Sequence, residues 1–393
     1  MTTFAQTFPT RPWTGWYVTI LIVLLTLTGL LDVFQPDDML PERAINLHHI
    51  WALFGLGIFF TQGKIVMPPW HFALFFAAAL LISLLADIRF GFNPALSNVV
   101  YCFYLLILGL MLARTLPPKI LGDALARAAI IIFVLITVKN LFFLSRILDT
   151  LSTLQDRVFI PTIVAGGPNV EATFAVFAAA LLRGRRLYWA AFFYALFLSM
   201  LYSSRAGLLA AAALFIFDFF TAQKSQRSLL LKQIRFAVVG LIVLGAVVTL
   251  FATPLAQFAL DRFQDIGYEP GSEGRIMMWQ SAPQVFIDHP FGVGAGNAIV
   301  QVQDYLGMQL VEGNMHNIFL QVLLDLGIFG FAAYALMWLK IWQQGWRAKL
   351  AHPLWLVIAL YFLLGFLQFR AYDPFAFMCL GLVWHDYKRS DAA

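Results

Sequence analysis

Long apolar segments alternate with short polar connections along most of the 393-residue chain. A helix needs about 20 apolar residues to cross the ~30 Å hydrocarbon core of a bilayer. Apolar segments near that length lie at 16–35, 44–62, 69–88, 94–114, 121–144, 169–184, 186–203, 205–222, 234–256, 316–341, 353–369 and 373–387. The pattern therefore predicts an all-α integral membrane protein with about twelve transmembrane helices, in which residues 1–393 form a single polytopic domain. The segments at 169–184 and 373–387 are short, and the region 169–203 allows other boundaries.

Composition agrees with this class. Hydrophobic residues make up 61% of the chain, charged residues 12%, and the mean hydropathy is +0.79. Soluble domains carry about 25% charged residues, so the composition excludes an ordinary soluble protein. The first apolar run, from Trp16 to Phe34, exceeds a signal-peptide core and is predicted to be an uncleaved span. Cys102 and Cys379 lie inside apolar segments, so no disulfide framework is indicated.

Basic residues fall at alternate connections between the apolar segments. Placing the N-terminus in the cytoplasm puts these basic positions on the cytoplasmic side, as the positive-inside rule requires. They are Arg11, Lys64, Arg114, Lys119, Arg183, Arg185, Arg186, Lys224, Arg227, Lys232, Arg235, Arg347, Lys349, Lys388 and Arg389. An even number of spans with both termini cytoplasmic follows. The net charge of +5 is explained by this orientation and does not indicate a nucleic-acid partner.

Two connections on the predicted outer side are long, and residues 253–315 form the larger one. Loops beyond about 15 residues are uncommon unless they are functional or disordered. "GRIMMWQSAPQVFIDHPF", residues 274–291, has the apolar spacing of a short amphipathic helix at a membrane surface. "GVGAGN", residues 292–297, predicts a glycine-rich turn rather than a phosphate-binding loop. The smaller outer connection runs from about residue 146 to 168.

Three arginines on the predicted outer side are candidates for binding an anion. Arg205 follows two serines that can cap a helix, so it is expected in the first turn of a span, where the helix dipole favours anions. Arg275 opens the amphipathic part of the long loop, and Arg370 lies in a short turn next to Asp373. The alternative for each is an interfacial arginine that reaches lipid headgroups or pairs with a nearby acid.

His316 precedes the apolar helix that follows the long loop, with Asn317 beside it. The positive end of a helix disfavours imidazolium, so this histidine is expected to be neutral near pH 7 and able to act as a general base. Glu312 and Asn314 are candidates for orienting it or contacting an acceptor. The alternative is an interfacial histidine without a chemical role. Gly327 and Gly330, three residues apart in the same helix, are expected to permit close helix packing.

Other chemistries find little support in the chain. His48 and His49 are adjacent, which suits no common metal-ligand spacing, and neither a metal nor a cofactor is expected. P-loop, Rossmann and GxSxG motifs are absent from the sequence. A lipid or ion transporter is the alternative from another class, and Arg127, Lys139 and Glu171 are its candidate intramembrane charges, each near a predicted helix end.

Three blocks in order resemble the O-antigen ligase family, which also includes O-antigen polymerases and protein O-oligosaccharyltransferases. "HNIFLQVLLDLGIFG" has His-Asn, nine residues, then Gly-x-x-Gly. "SSRAGLLAA" has an arginine after small polar residues, and "GRIMMWQSAPQVFIDHPFGVGAGN" has Arg-x-x-x-Trp before a Pro-x-Gly-x-Gly turn. The resemblance covers roughly residues 167–330.

The resemblance implies a GT-C-like, metal-independent, inverting glycosyltransferase of the bacterial inner membrane with its active site facing the periplasm. The implied donor is a glycan on undecaprenyl pyrophosphate, and the implied acceptor is lipid A–core oligosaccharide or another glycolipid. Arg205 and Arg275 would bind the pyrophosphate, and His316 would deprotonate the acceptor hydroxyl. Arg370 and Asn317, with the two candidates just before His316, are expected to contact substrate.

One dominant outer loop favours a ligase over a polymerase, which would use a lipid-linked repeat unit as acceptor. The connection near residues 146–168 keeps the polymerase open. A protein oligosaccharyltransferase is less favoured because the chain has no additional C-terminal soluble extension.

Overall fold

The computed structural model describes residues 12–30, 46–58, 66–91, 93–152, 160–221, 270–310, 314–348 and 352–390. Within these ranges the secondary structure is helical, with no strand. The predicted span at 234–256 and the candidate Glu312 lie outside the described residues, as do Arg11 and residues 253–269.

The described helices largely follow the predicted apolar segments. Their bounds are α1 Pro12–Thr26, α2 Leu47–Leu53, α3 Trp70–Phe90, α4 Ala95–Thr115, α5 Pro118–Phe142, α6 Leu144–Ser152, α7 Pro168–Leu181, α8 Tyr188–Leu201, α9 Arg205–Thr221, α10 Pro270–Asp288, α11 Ala298–Leu306, α12 Ile318–Arg347, α13 Pro353–Leu364 and α14 Pro374–Ser390. Helices α6, α10 and α11 lie in the two connections predicted to be long, so these connections carry helical structure.

Four described helices are long and apolar enough to cross a membrane: α3, α4, α5 and α12. Shorter apolar helices of 10–17 residues occur at 13–26, 47–58, 168–181, 188–201, 353–364 and 374–384. These helices are compatible with a multi-pass membrane protein. The count of twelve and the orientation across the membrane stay predictions.

Helices α4 and α14 approach each other closely at two glycines. A Cβ added to Gly109 would lie 2.9 Å from the Cα atom of Gly381 and 2.8 Å from the carbonyl oxygen of Met378. Neither position can hold a larger side chain without separating the helices. Small residues at such contacts are typical of membrane helix pairs, because close backbone approach maximises van der Waals contact between helices that gain nothing from excluding water.

Helix α12 is broken at Gly327, where φ is +60° and ψ is −168°. The apolar periodicity continues through this point, so the sequence predicted an unbroken helix. A left-handed φ is accessible to glycine because it has no Cβ. The break corrects the expected role of Gly327, since the close approach there is to a turn, Pro290–Gly296, and not to another helix.

The Pro290–Gly296 turn supplies the hydrogen bonds that the broken helix lacks. The N–H groups of Val293 and Gly294 donate to the carbonyls of Leu324 and Asp325 at 3.1 and 2.7 Å, and Ile328 N–H donates to Pro290 O at 3.0 Å. Irregular backbone inside a membrane protein is tolerated where neighbouring protein satisfies it in this way. The turn therefore fixes the end of α10 against α12.

The two ends of α7 differ in their polar contacts. At one end the basic turn after α7 forms ion pairs: Arg185 Nη2 lies 2.6 Å from Asp123 Oδ1, and Arg183 Nε lies 2.7 Å from Asp218 Oδ1. The opposite end, which we call the site end, contains the first residues of α7, α9, α12 and α14. Hydrogen bonds that connect these helix starts are described below.

Candidate active site

His316 lies in a short connection that two side chains hold in place. Its own N–H donates to Asn314 Oδ1 at 2.8 Å, and Trp279 Nε1 on α10 donates to the carbonyl of Met315 at 2.9 Å. His316 has φ of +49°, which few non-glycine residues adopt. Strained backbone of this kind is frequent at functional sites when surrounding contacts determine it. The oxygen of Asn314 therefore orients the His316 backbone, one of the two roles expected of Asn314.

Asn317 caps helix α12. Its Oδ1 accepts hydrogen bonds from the N–H groups of Phe319 at 3.0 Å and Leu320 at 3.1 Å. The next residue, Ile318, donates its N–H to the carbonyl of Gly365 at 2.8 Å. The prediction that His316 stands immediately before the first turn of this helix is confirmed. The amide oxygen of Asn317 caps the helix, so any contact of Asn317 with substrate would be made by its NH2 group.

The His316 imidazole is half-buried, and its pKa is lowered to about 4. Burial is the main cause, the positive charge of Arg275 is next, and Arg370 adds a smaller effect in the same direction. A hydrogen bond with the backbone of Gln368 opposes the shift. The imidazole is therefore neutral near pH 7, as expected. The buried Nδ1 atom has no hydrogen-bond partner.

Arg275 approaches His316 because of its place on α10. It lies one helical turn before Trp279, and residues four apart share a helix face. Since Trp279 bonds to the residue before His316, the same face brings the half-buried Arg275 to the imidazole. Arg370 lies in the turn before α14, where Tyr361 Oη donates to its carbonyl at 2.7 Å. The structure thus brings His316, Arg275 and the exposed Arg370 together.

Asp373, the acid expected to pair with Arg370, caps helix α14. Its Oδ1 accepts a hydrogen bond from Ala376 N–H at 3.0 Å. Burial raises the pKa of Asp373 to about 6, and the charge of Arg370 works against that rise. The charge of Arg370 therefore lowers the pKa of both Asp373 and His316, and its effect is not confined to one of them.

Arg205 begins helix α9, as predicted. Ser204 is the residue before it, and its Oγ accepts a hydrogen bond from Gly207 N–H at 3.0 Å, which is the geometry of a helix cap. Ser203 adopts φ of +48°. Arg205 is not among the charges that act on the His316 imidazole.

A short series of hydrogen bonds connects the start of α9 with His316. Ser204 Oγ lies 3.4 Å from the carbonyl of Asn169 in the first turn of α7. One turn later, Thr173 Oγ1 donates to the same carbonyl at 2.9 Å and lies 3.2 Å from the amide of Gln368, whose backbone bonds to the imidazole. The first turns of α7 and α9 therefore border the same site end as His316.

A buried ion pair fixes the helix ends beneath Arg205. Lys139 Nζ lies 2.6 Å from Glu171 Oε1 and 2.9 Å from Tyr202 Oη, and Tyr202 Oη also donates to Asn140 Oδ1 at 2.7 Å. Glu171 Oε2 accepts from Ile163 N–H at 2.7 Å. Lys139 and Glu171, the candidate intramembrane charges of the transporter alternative, form an ion pair in a network next to the turn that precedes Arg205.

Sequence reasoning missed Gln368 and Thr173 as site residues. Gln368 stands two positions before Arg370 in a short polar turn, which is the one signal that pointed to it. Thr173 gave no signal, because its contact depends on the packing of α7 against the turn before α14. Among the described residues, no group of three or more His, Cys, Asp or Glu side chains is placed to hold a metal ion.

Residues 190–335 match a protein-family model described as O-antigen ligase. This match supports the O-antigen ligase family. The matched segment contains Arg205, Arg275 and His316, and the family supports a membrane glycosyltransferase of the O-antigen ligase or polymerase type. The family and the apolar helices together indicate a multi-pass membrane protein. No curated protein matches the chain significantly.

Proposed function

We propose that this chain is an inverting glycosyltransferase that moves O-antigen glycan from undecaprenyl pyrophosphate to lipid A–core oligosaccharide, at the periplasmic face of the bacterial inner membrane. The observation that carries the proposal is the His316 environment. A neutral imidazole with an unpartnered Nδ1 precedes a capped helix start, and the charges of Arg275 and Arg370 both lower its pKa. A base beside a cationic anion-binding region suits displacement of a pyrophosphate leaving group by a hydroxyl.

In the proposed reaction, the acceptor oxygen attacks the anomeric carbon of the donor from the face opposite the pyrophosphate. His316 Nδ1 takes the hydroxyl proton as the new carbon–oxygen bond forms. The bond from carbon to the pyrophosphate oxygen breaks, and its electron pair leaves with undecaprenyl pyrophosphate. A direct displacement inverts the anomeric carbon.

Arginines supply the electrostatic part of this mechanism. Arg275 and Arg205 bind the pyrophosphate oxygens, and their charge stabilises the negative charge that develops on the leaving group. Low dielectric at a buried site strengthens this stabilisation. Burial, with a further contribution from the charges of Arg275 and Arg370, keeps the base unprotonated before the donor arrives.

A polymerase that uses a lipid-linked repeat unit as acceptor is the second candidate, because the chemistry at His316 is the same. The ligase is favoured because the sequence predicts one dominant outer connection, residues 253–315. A transporter would move lipid or ions and form no covalent product.

Incubation of the purified protein with lipid-linked glycan and each acceptor in turn, without ATP, separates these candidates. Transfer to lipid A–core supports the ligase, and transfer to a second lipid-linked unit supports the polymerase. Failure to form product with either acceptor, by protein that elutes as a folded species, contradicts both enzyme assignments.

Arg275→Lys tests how the donor is held. Lysine keeps the charge but loses the planar pair of donors, so a large loss of transfer indicates bidentate binding of the pyrophosphate. Arg89→Lys is the matched control, since Arg89 lies at the end of α3 and is assigned no role in the site. Equal activity of both variants would contradict a specific role for Arg275.

A further inference from the structure

A buried tyrosine at the end of α8 holds the turn that leads to Arg205. Tyr202 is only 1% exposed, and its hydroxyl accepts a hydrogen bond from Lys139 Nζ at 2.9 Å. The same oxygen lies 2.7 Å from Glu171 Oε1 and 2.7 Å from the side-chain amide of Asn140. The hydroxyl therefore has polar partners on both α5 and α7, and none of those three residues is assigned a role in the transfer reaction.

The partners of this hydroxyl are themselves held by the backbone that precedes α7. Lys139 Nζ also donates to the carbonyl of Pro161 at 2.8 Å, and Glu171 Oε2 accepts from Ile163 N–H at 2.7 Å. Networks of buried, hydrogen-bonded polar groups make a protein locally rigid. The position of the Tyr202 hydroxyl is therefore fixed relative to α5, α7 and residues 161–163.

The turn between Tyr202 and Arg205 is short and strained. Ser203 has φ of +48°, and Ser204 N–H donates to the carbonyl of Ser199 at 2.7 Å. A left-handed conformation persists at a serine only when the surrounding contacts determine it. Release of the Tyr202 hydroxyl is therefore expected to relax the turn and to displace the first residue of α9, which is Arg205.

We propose that Tyr202 is a positioning residue that places Arg205 to bind the pyrophosphate of the donor. This inference rests on the proposed function, in which Arg205 binds pyrophosphate oxygens. The hydroxyl itself does not touch the donor, because it is buried among side chains of α5 and α7. A guanidinium binds an oxyanion through aligned N–H groups, so a small displacement of Arg205 weakens that contact. Tyr202 therefore affects the donor and leaves the acceptor unaffected.

Tyr202→Phe tests this role, because phenylalanine removes the hydroxyl and keeps the ring, whose centre lies 5.1 Å from Lys139 Nζ. Binding of undecaprenyl pyrophosphate to the purified protein is measured directly, since it requires neither acceptor nor turnover. Transfer is then measured with varied donor at saturating acceptor, and with varied acceptor at saturating donor. Misplacement of one charged donor group predicts a rise of about 10-fold in the Kd of undecaprenyl pyrophosphate and in the donor KM, with the acceptor KM unchanged.

Tyr194→Phe is the matched control. Tyr194 lies on α8, roughly two helical turns before Tyr202, and its hydroxyl also contacts α5, at 2.7 Å from Thr137 Oγ1. Loss of this hydroxyl removes a polar contact between α8 and α5 without releasing the turn before Arg205. The Kd of undecaprenyl pyrophosphate is expected to stay within about twofold of the wild-type value.

A double-variant comparison tests whether Tyr202 acts through Arg205. Arg205→Gln removes the guanidinium, so Tyr202→Phe is expected to raise the Kd by less than about twofold in that background. A purely structural role predicts the same rise with and without Arg205. If Tyr202→Phe does not fold, Asn140→Leu replaces it, because leucine has a similar shape and removes one partner of the hydroxyl. A rise of about 3-fold in the same Kd is then expected.

An unchanged Kd in folded Tyr202→Phe, or an equal rise in Tyr194→Phe, overturns the proposal. Independent effects of Tyr202→Phe and Arg205→Gln overturn it as well, as does a rise in the acceptor KM alone. Absence of product from the wild-type protein is a different result. It contradicts the proposed transfer, whereas the binding measurement still reports on Tyr202 and Arg205.

Discussion

Replacement of Gly327 by alanine is expected to separate the Pro290–Gly296 turn from the broken helix α12. A Cβ at this position would lie 2.5 Å from both Gly292 N and Pro290 O, and still closer to the carbonyl carbon of Phe291. Carbon atoms do not approach backbone atoms this closely, so the turn must move. The backbone, with φ of +60° and ψ of −168°, is also a conformation that an alanine adopts only with strain.

The expected cost combines these two effects. A strained backbone conformation costs about 1–3 kcal/mol, and forcing an extra carbon into a filled space costs about 1–3 kcal/mol more. The turn connects to α10, which carries Trp279 and Arg275, so a shift of about 1 Å there can reduce transfer about 100-fold. We expect Gly327→Ala to lower both the thermal midpoint and the transfer rate.

Heating followed by gel filtration measures the midpoint in detergent, and the donor–acceptor assay measures transfer. Gly91→Ala is a control for backbone strain alone, since φ is +94° there and no atom lies within 4 Å of an added Cβ. Gly57→Ala controls for the substitution itself, because that position is open and has no positive φ. If Gly327→Ala is as stable and as active as Gly57→Ala, the turn does not support the site as described.

Three further predictions concern groups around the site. Trp279→Phe removes the hydrogen bond to Met315 while keeping an aromatic ring. Transfer is therefore expected to fall about tenfold, with a change in the free energy of unfolding of about 1 kcal/mol. Full activity would mean that this bond does not position the histidine. Glu171→Leu leaves Lys139 charged and buried and is expected to lower the free energy of unfolding by about 3–5 kcal/mol. The double variant with Lys139→Met is expected to recover part of the loss in thermal midpoint. Additive losses would contradict coupling in the pair. The pH profile of kcat/KM is expected to stay flat from pH 7 down to about 5 and to fall toward the pKa of His316 near 4.

The sign of this pH effect follows from the folded pKa. The pKa of His316 is lowered from its ordinary value of 6.5, so the base remains neutral in the folded protein at pH values where a free histidine is protonated. Its contribution to stability is present above pH 6.5 and is lost as the pH falls toward 4. A bound pyrophosphate offsets the arginine charges, so the kcat profile should decline at a higher pH than kcat/KM. A kcat/KM profile that falls through pH 6.5 would contradict the buried, neutral imidazole.

The sequence predicted the helices well where the apolar run was long, because a run of about 20 apolar residues admits few other structures. It also predicted the start of α9 at Arg205 and of α12 after His316, because capping residues give local signals. The break at Gly327 was missed, since apolar residues continue on both sides of it and the cause is a turn from a distant part of the chain. Gln368 and Thr173 were missed for the same reason, as their contacts exist only after α7, α12 and α14 assemble.

The sequence predicted that His316 is neutral near pH 7, which agrees with its lowered pKa, but for a different physical reason. The sequence argument used the positive end of a helix, whereas burial and the arginines at positions 275 and 370 are the larger effects in the folded protein. Those arginines come from separate connections, and no local pattern placed them beside the histidine.

The central claim is that His316 is the base for glycan transfer, and His316→Ala in the purified assay tests it most directly. His289→Ala is the control, because His289 lies at the end of α10 in the same long connection. Loss of a general base predicts a fall in kcat of about 100-fold or more for His316→Ala, in protein that elutes as wild type, with little change for His289→Ala. Transfer by folded His316→Ala at the wild-type rate would contradict the account.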